Sequence, residues 1–406
     1  MPCRYKKQRL RYILKLLKKQ GSVKISSLVK VLDVTERTLR RDINDLVKTG
    51  HVRSCYGGAV YNHDNAFPLY ENNSLYLHQN IIINQSKIER EISMNENNGK
   101  VYILGSFNTD LVYRLHRFPI SGETTRALFS CCLPGGKGSN QAIASAQANA
   151  RTYFTVKLGE DEFSTKAQHF LNGVGLEKLT IFTKNDAPTG SAVVMISEEA
   201  GDNVIVINPG ANQEITSEEI ISCYDEIGTA NVFLTQMENN PDATAQAIKF
   251  AHAAGVMTIL NPAPWRKEVT DLLRWTHILT PNLTEAEAII GKAIRTPDDI
   301  RQAAEIMHQM GPQYILITLG KDGCWLFDGS THQQFPAYPA VNIDTSGAGD
   351  AFNGALAARL ACGENIASAI HYACVFAALA VEREGAANMP SHELVLKRLV
   401  CTKYCY

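Results

Sequence analysis

"DTSGAGDAFNGALAARLA", at residues 344–361, joins a glycine-bearing turn to the small apolar residues of a buried helix. Asp and Gly are favoured where helices begin, so the turn is at least a helix cap. Backbone N–H groups at a helix N-terminus also attract anions, and Gly347, Ala348 and Gly349 leave that backbone almost bare. The stretch therefore predicts either a simple cap or an anion cradle with the carboxylate of Asp350 beside it.

Short apolar runs alternate with helical stretches from Lys100 onward. The strand-like runs are VYILG (101–105), TYFTVKLG (152–159), ANVFLTQ (230–236), VMTILNPAP (256–264), HILTPN (277–282) and YILITLG (314–320). Such alternation predicts an α/β fold with a mainly parallel sheet, in which ligands bind at the carboxyl ends of the strands. The polar residues at those ends are therefore candidate site residues: Asn108, Asp110, Gln236, Glu238, Asn261, Asn282, Glu285, Thr318 and Gly320.

Composition and motif spacing exclude several classes of protein. No uninterrupted apolar run reaches the roughly 18 residues of a membrane span, so we expect a cytoplasmic protein. The ten cysteines show no paired spacing typical of zinc sites and are read as free thiols. GGKGSN at 135–140 lacks the spacing of a P-loop, and neither HExxH nor GxSxG occurs.

The net charge of -1 conceals a division between two parts of the chain. Residues 1–61 contain 15 Lys or Arg against 4 Asp or Glu, a balance of +11, whereas the remaining residues balance at -12. This asymmetry predicts a polyanion-binding module joined to a different domain.

The basic segment has the pattern of a winged helix-turn-helix. An amphipathic helix over 8–19 and a short helix around 26–32 precede DVTERTLRRDINDLVKTG, where Thr35 is a suitable N-cap. HVRSCYGGAV, at 51–60, then has the alternation and glycines of a hairpin. The helix after Thr35 would enter the DNA major groove, with these residues mostly facing outward: Arg37, Thr38, Arg40, Arg41 and Asn44.

Residues 4–60 resemble the DNA-binding domain of DeoR-family bacterial repressors, down to TLRRDINDL and the closing GGAV. The resemblance implies that the outward Arg and Thr side chains divide between base edges and phosphates of operator DNA. Residues 62–99 contain nine asparagines and no sustained period, which predicts a polar linker. The expected domains are therefore 1–61 for DNA binding, 62–99 as linker and 100–400 for the α/β domain.

The α/β domain resembles the ribokinase (PfkB-type) family of sugar kinases over residues 100–400. Nine motifs in family order carry the resemblance: GSFNTD (105–110), PGGKGSNQA (134–142), PTGSA (188–192), VINPGAN (206–212), QMEN (236–239), NPAP (261–264), TPNLTEAE (280–287), LITLGKDG (316–323) and DTSGAGDAFNGA (344–355). The resemblance implies a small β lid beside the main sheet, with ATP and a sugar as substrates.

The resemblance also implies roles for single residues. The expected sugar-binding residues are Asn108, Asp110, Gly136, Lys137, Asn140, Glu238 and Asp350. ATP would be bound by Asn282, Thr318, Gly320, Lys321, Asp322, Gly323 and Gly349. Asp350 would be the base and Gly347, Ala348 and Gly349 the anion hole, while Glu285 would organise Mg²⁺ through water.

Potassium activation is a further implication of the resemblance. The matching positions are Asp344, Ser346, Ala380, Arg383 and Gly385. Two residues depart from the family pattern. Met389 stands where a small hydroxyl residue is usual, and Cys374 replaces a polar residue near the adenine.

Together the two resemblances imply phosphorylation of D-ribose at its 5-hydroxyl by ATP, joined to DNA-binding control of sugar catabolism. Two alternatives stay open: a kinase-like domain that only senses sugar or nucleotide, and a kinase for 2-deoxyribose or another sugar. Asp350, the glycine cradle and Glu285 favour activity, and Asn108 with NPAP favours ribose. Both families commonly self-associate, which implies a homo-oligomer, with a dimer favoured.

Overall fold

The computed structural model describes residues 9–10, 12–13, 16–17, 22–32, 34–48, 52–55, 58–61, 98–200 and 202–403. The chain divides into two compact units, Met1–Met94 and Asn95–Tyr406. The predicted linker lies outside the described residues except for Asn98 and Gly99, so the proposed domain limits stay a prediction.

The N-terminal unit contains a small antiparallel sheet and helices. Its elements are β1 (Ser22–Lys24), α1 (Ile25–Leu32), α2 (Glu36–Lys48), β2 (Val52–Cys55) and β3 (Gly58–Tyr61), with the strands in the order β1-β3-β2. The described residues between 9 and 17 are also helical. Thr35 caps α2, since its Oγ1 accepts from the backbone N–H of Thr38 at 3.3 Å. The structure thus has the predicted helix pair followed by a hairpin.

Apolar side chains from the described helices and strands of this unit form one core. Ile13, Leu17 and Leu39 are fully buried together with Ile43 and Val52, which are 1% exposed. Burial of this single stripe fixes the orientation of α2, so its opposite face meets solvent.

The second unit alternates strands with helices. Its strands are β4 (Lys100–Leu104), β5 (Asn108–Leu115), β6 (Phe129–Gly135), β7 (Arg151–Gly159), β8 (Lys178–Lys184), β9 (Ser191–Ser197), β10 (Asp202–Asn208), β11 (Val232–Thr235), β12 (Met257–Leu260), β13 (Ile278–Leu279), β14 (Tyr314–Thr318), β15 (Cys324–Phe327) and β16 (His332–Phe335). Its α-helices are α3 (Lys137–Gln147), α4 (Glu162–Asn172), α5 (Ser217–Ser222), α6 (Tyr224–Gly228), α7 (Pro241–Ala253), α8 (Leu283–Ile290), α9 (Pro297–Gln309), α10 (Ala348–Ala361), α11 (Ile366–Ala380) and α12 (His392–Lys403).

The main sheet has nine strands in the order β16-β15-β14-β13-β12-β11-β4-β7-β8. Neighbours from β8 to β14 pair in parallel, and only β15 and β16 add antiparallel pairs at one edge. Val101 and Ile103 pack into one buried cluster, while Tyr102 and Leu104 pack into the other. Both faces of the sheet are therefore covered, as the continuous apolar runs of its strands require.

A second sheet, in the order β10-β9-β5-β6, forms the predicted small β lid. Asn108 pairs with Gly135 at the start of β5 and the end of β6. This register places the first residues of β5 beside the loop that starts α3, where the predicted sugar-binding residues meet. No helix among the described residues combines the length and apolar character that a membrane span requires.

Candidate active site

The predicted anion cradle lies at the N-terminus of α10. Gly347 precedes the helix with φ of 73°, a left-handed conformation that favours glycine. An added Cβ there would lie 2.7 Å from the carbonyl oxygen of Ala386. The N–H of Ala348 donates to the carbonyl of Thr345 at 3.2 Å. Because the first N–H groups of a helix have no intrahelical acceptor, Gly349 and Asp350 supply the better-placed donors of the cradle.

Asp350 lies in the first turn of α10 and is only 6% exposed. Its Oδ2 accepts from Asn140 Nδ2 at 3.0 Å, and its Oδ1 accepts from Gln141 Nε2 at 2.9 Å. Each carboxylate oxygen has two acceptor positions, so both oxygens keep capacity for a substrate hydroxyl. Asp350 thus has the fixed orientation and the spare acceptor that a general base needs.

Lys137, the first residue of α3, lies beside Glu238. The backbone N–H of Lys137 donates to Glu238 Oε2 at 3.0 Å, and Ser106 Oγ donates to the same oxygen. The negative charge of Asp350, then those of Glu238 and Glu285, raises the pKa of Lys137 against the opposing effect of burial. Lys137 is therefore a cation held among carboxylates.

Asn108 and Asp110 lie at the start of β5, in the lid. Asn108 is buried, and its Oδ1 accepts from Asn212 Nδ2 at 3.0 Å. The carboxylate of Asp110 lies against Gly135, where an added Cβ would be 2.2 Å from Asp110 Oδ2. Burial, followed by the charges of Glu238 and Asp350, raises the pKa of Asp110 to about 7.

A cavity of about 170 Å³ lies at the carboxyl ends of the strands. It is lined by Lys137, Asn261, Ala263, Thr280, Asn282, Glu285, Thr318, Thr345, Gly347, Ala348, Gly349, Asp350 and Asn353. The structure thus brings the predicted base, the cradle residues, the sugar residue Lys137 and the magnesium residue to one place, with three of the predicted ATP residues: Asn282, Thr318 and Gly349.

The other predicted residues lie outside the cavity lining. Asn140 contacts the lining through its hydrogen bond to Asp350, and Glu238 contacts it by accepting from the backbone N–H of Lys137. An exposed turn after β14 contains Gly320, Lys321 and Asp322, and Gly323 follows it. Gly136 caps α3 beside the backbone N of Asn108. A larger cavity of about 530 Å³, lined by Lys100, Arg151 and Asn231 among others, lies at the amino ends of the strands, away from every predicted residue.

Glu285 is suited to hold Mg²⁺ through water rather than directly. Its carboxylate accepts from the backbone N and the Nδ2 of Asn282, at 2.9 and 3.0 Å, in a capping box that starts α8. Burial raises the pKa of Glu285, while the Asn282 hydrogen bond and Lys137 act in the opposite direction. Among the described residues, no cluster of three or more His, Cys, Asp or Glu side chains could bind a metal directly.

The predicted potassium-binding residues form two groups, and hydrogen bonds link the residues within each group. Asp344 Oδ1 accepts from the Ser346 N–H at 2.8 Å, and its Oδ2 accepts from the Gly385 N–H at 3.0 Å. The N–H of Arg383 donates to the Ala380 carbonyl at 3.0 Å. These loops offer carbonyl and carboxylate oxygens, the donor set of a hard cation. The two residues that depart from the family pattern are both buried. Met389 lies in the apolar core, and Cys374 has its Sγ 3.9 Å from Cys324 Sγ.

The predicted DNA-binding residues lie on α2. Arg37, Arg40 and Arg41 are exposed, and Thr38 is half-buried with its Oγ1 2.9 Å from Thr35 Oγ1. Arg40 Nε donates to Glu36 Oε1 at 3.0 Å, an exposed pair that a phosphate can replace at little cost. The side chain of Asn44 lies outside the described residues.

Four residues that support the site are not among the predicted site residues. Ser106 bonds Glu238, Asn212 holds Asn108, Gln141 bonds Asp350, and Asn353 Nδ2 donates to the Gly349 carbonyl at 2.8 Å. All four are polar yet 1% exposed or less. A polar residue inside an otherwise apolar stretch, as in NQAIASA, is the signal that could have identified them.

Sequence models of two families match the chain in separate parts. The model of the pfkB family carbohydrate kinase matches residues 98–393, and that of the DeoR-like helix-turn-helix domain matches residues 9–65.

Individual relatives match the second unit. A ribokinase of Staphylococcus aureus is 35% identical over 299 residues, which are 73% of this chain and 98% of that protein. A bifunctional ribokinase/ribose-5-phosphate isomerase A of Fructilactobacillus sanfranciscensis is 33% identical over 300 residues, and this chain spans 55% of its length. The solved structure of Arabidopsis thaliana ribokinase complexed with ribose and ATP has a TM-score of 0.67 at 32% identity, covering 74% of this chain and 98% of that one.

Proposed function

This chain belongs to the pfkB family of carbohydrate kinases and carries a DeoR-like helix-turn-helix domain, and from that premise we propose that it transfers the γ-phosphoryl group of ATP to the 5-hydroxyl of D-ribose. The observation that carries the proposal is the position of Asp350, a buried carboxylate in the first turn of α10 that lines one cavity with the glycine cradle. Ribose is proposed from the polar lid residues Asn108 and Asp110 and from the similarity to ribokinases.

The positions of these side chains support the following reaction. Asp350 accepts the proton of the sugar's 5-hydroxyl as the hydroxyl oxygen bonds to the γ-phosphorus. The bond between the γ-phosphorus and the oxygen that leaves with ADP breaks. The N–H groups of Gly349 and Asp350 stabilise charge on the transferring oxygens, together with Lys137. When bound through water by Glu285, Mg²⁺ would neutralise phosphate charge.

A substrate panel tests the proposed activity. We expect the purified full chain to release ADP with D-ribose faster than with 2-deoxyribose or hexoses, and Asp350→Asn to lower kcat about 100-fold or more. A faster reaction with 2-deoxyribose would reassign the sugar. No turnover on any pentose would contradict the enzyme proposal and leave the domain as a sugar or nucleotide sensor.

We also propose that the N-terminal unit binds operator DNA and regulates genes of sugar catabolism. The support is the exposed row of Arg37, Arg40 and Arg41 on α2 together with the +11 balance of residues 1–61. Binding of the protein's own upstream region should weaken steeply as salt rises, because phosphate contacts release counterions. Arg37→Ala with Arg41→Ala should abolish the gel shift without changing kinase turnover. A salt-independent shift would contradict this proposal.

Potassium is proposed as an activator bound by the Asp344 and Ala380 loops. Met389 contributes its carbonyl to Arg383 Nη1 at 3.4 Å while its thioether packs in the core, so it offers no side-chain oxygen. We expect turnover to rise when K⁺ replaces Na⁺ at constant ionic strength. Equal turnover in the two salts would rule out the activator.

The exposed lid supports the proposed homodimer. Val204, Ile205, Val206 and Ile207 on β10 are 42%, 51%, 60% and 51% exposed. Consecutive exposed β-branched residues on an edge strand favour pairing with another surface. Sedimentation should give a dimer that Val206→Lys weakens, and a monomer at micromolar concentration would contradict the assignment.

A further inference from the structure

Gln141 is a buried amide that bonds the proposed base. It lies in the first half of α3 and is fully buried. Its Nε2 donates to Asp350 Oδ1 at 2.9 Å and to Asn261 Oδ1 at 3.1 Å. One NH₂ group thus bonds both the base and a residue just beyond the end of β12.

Neighbouring amides fix which end of Gln141 faces Asp350. Gln236 Nε2 donates to Gln141 Oε1 at 2.6 Å, so that oxygen is already an acceptor. Asn261 Nδ2 donates to the Thr280 carbonyl at 3.1 Å, which turns Asn261 Oδ1 toward Gln141. A flipped Gln141 amide would place its oxygen against two other oxygens, so only one orientation satisfies the network.

The network closes on the cradle itself. Thr280 Oγ1 donates to Asn353 Oδ1 at 2.6 Å, and Asn353 Nδ2 donates to the Gly349 carbonyl at 2.8 Å. Hydrogen bonds therefore run from the Asp350 side chain through the ends of two strands and back to the residue preceding Asp350. The base and the cradle are fixed to the same edge of the sheet.

Close packing of two helices makes this contact possible. Gly354 of α10 lies so near α3 that an added Cβ would be 2.3 Å from the Gln141 carbonyl oxygen and 2.6 Å from Ala144 Cβ. The bare helix surface at Gly354 brings the α3 backbone close to α10. Gln141 can then reach a carboxylate one turn earlier in α10.

We propose that Gln141, held by Gln236 and Asn261, is a positioning residue that orients the Asp350 carboxylate toward the attacking hydroxyl. The proposal rests on the proposed role of Asp350 as the base. Gln141 does not line the cavity; it acts through Asp350. A misplacement of about 1 Å in such a group costs about 100-fold in rate, so loss of this donor should lower kcat by about 10- to 100-fold.

A double-mutant cycle tests the proposal on the full chain. Gln141→Leu keeps the volume and removes the donor, and it should lower kcat while KM for ATP changes less than about twofold. In the Asp350→Asn background, Gln141→Leu should have no further effect, because the group that it orients no longer acts as a base. Loss of a donor to the ionised carboxylate should also move the acid limb of the kcat profile to higher pH.

Ser145→Ala is the matched control. Ser145 is buried one turn further along α3, and its Oγ accepts from Thr152 Oγ1 at 2.9 Å, away from Asp350. It should leave kcat and the pH profile unchanged. If Gln141→Leu does not fold, Gln236→Leu removes the partner that orients the amide and should reproduce the loss of kcat in part.

The outcomes separate the two proposals. Equal losses from Gln141→Leu in the wild-type and Asp350→Asn backgrounds would show a merely structural residue and overturn the positioning role. Wild-type turnover by Asp350→Asn would instead overturn the assignment of the base. A non-additive cycle with a shifted acid limb supports both.

Discussion

Substitution of Gly349 by Ala should separate the catalytic use of the cradle from its structural use. Gly349 lines the cavity, and an added Cβ would meet no atom within 4 Å. The methyl group therefore enters the space of the cavity, not the core. Because Ala loses less conformational entropy than Gly in a helix, the variant should gain about 0.5–1 kcal/mol in free energy of unfolding.

Activity should change in the opposite direction. A methyl group beside the N–H that faces the γ-phosphoryl group displaces that group by about 1 Å, which costs about 100-fold in kcat/KM for ATP. Gly347→Ala is the paired variant. It should lose about 1–2 kcal/mol in free energy of unfolding because Ala is strained in a left-handed backbone conformation. The contact of the added Cβ with the Ala386 carbonyl oxygen, at 2.7 Å, would add to this loss.

Urea unfolding and a coupled ADP-release assay measure both quantities on the same preparations. Wild-type kcat/KM for Gly349→Ala would refute the cradle, since the methyl group could not then lie where the phosphoryl group binds. Equal destabilisation by the two substitutions would refute the distinction drawn between a strained and an open glycine.

Three further predictions concern burial and hydrogen bonding. Folding raises the pKa of Asp110 from about 4 to about 7, which stabilises the folded protein below about pH 4, and this stabilisation is lost as the pH rises through about 7. Asp110→Asn should therefore gain up to about 4 kcal/mol in free energy of unfolding over wild type at high pH, measured by ligand-free urea unfolding. A constant difference across pH would contradict the assignment. Asn212→Leu removes the donor that holds Asn108, so KM for the sugar should rise about tenfold with a smaller change in kcat, and an unchanged KM would show that Asn108 needs no support. Asp42→Ala removes the buried carboxylate that pairs with Arg9 Nε at 2.7 Å and should cost about 3–5 kcal/mol in free energy of unfolding, so gel-shift activity should be lost while kinase turnover remains; retained DNA binding would contradict it.

The sheet and the start of α10 could be predicted because their determinants are local. Each strand-like run predicted its strand because the run itself is apolar, and the strands predicted in this way are β4, β7, β11, β12, β13 and β14. Gly347 and Asp350 mark the cradle through turn and cap chemistry that needs no distant partner. The fold class and the position of Asp350, the proposed base, could therefore be predicted from short stretches.

The supporting amides could not be predicted in this way, since their roles depend on contacts between distant segments. Gln141 and Asp350 are 209 residues apart in the chain, and Asn212 and Asn108 are 104 apart. The orientation of Gln141 further depends on Gln236, which a third segment supplies. Strand-end position marked Gln236 and Asn261 as polar candidates, but only the fold shows that they face another side chain.

Phosphorus NMR of the reaction of D-ribose with ATP tests the central claim most directly. The wild-type chain should convert ATP to ADP and a phosphate monoester coupled to the two protons of the sugar's CH₂ group, which identifies the 5-position. Asp350→Asn, at the same concentration and with an unchanged melting temperature, should form the ester more slowly by about 100-fold or more. No sugar phosphate from the wild type, or the same rate from Asp350→Asn, would contradict the proposal that Asp350 is the base of a ribose kinase.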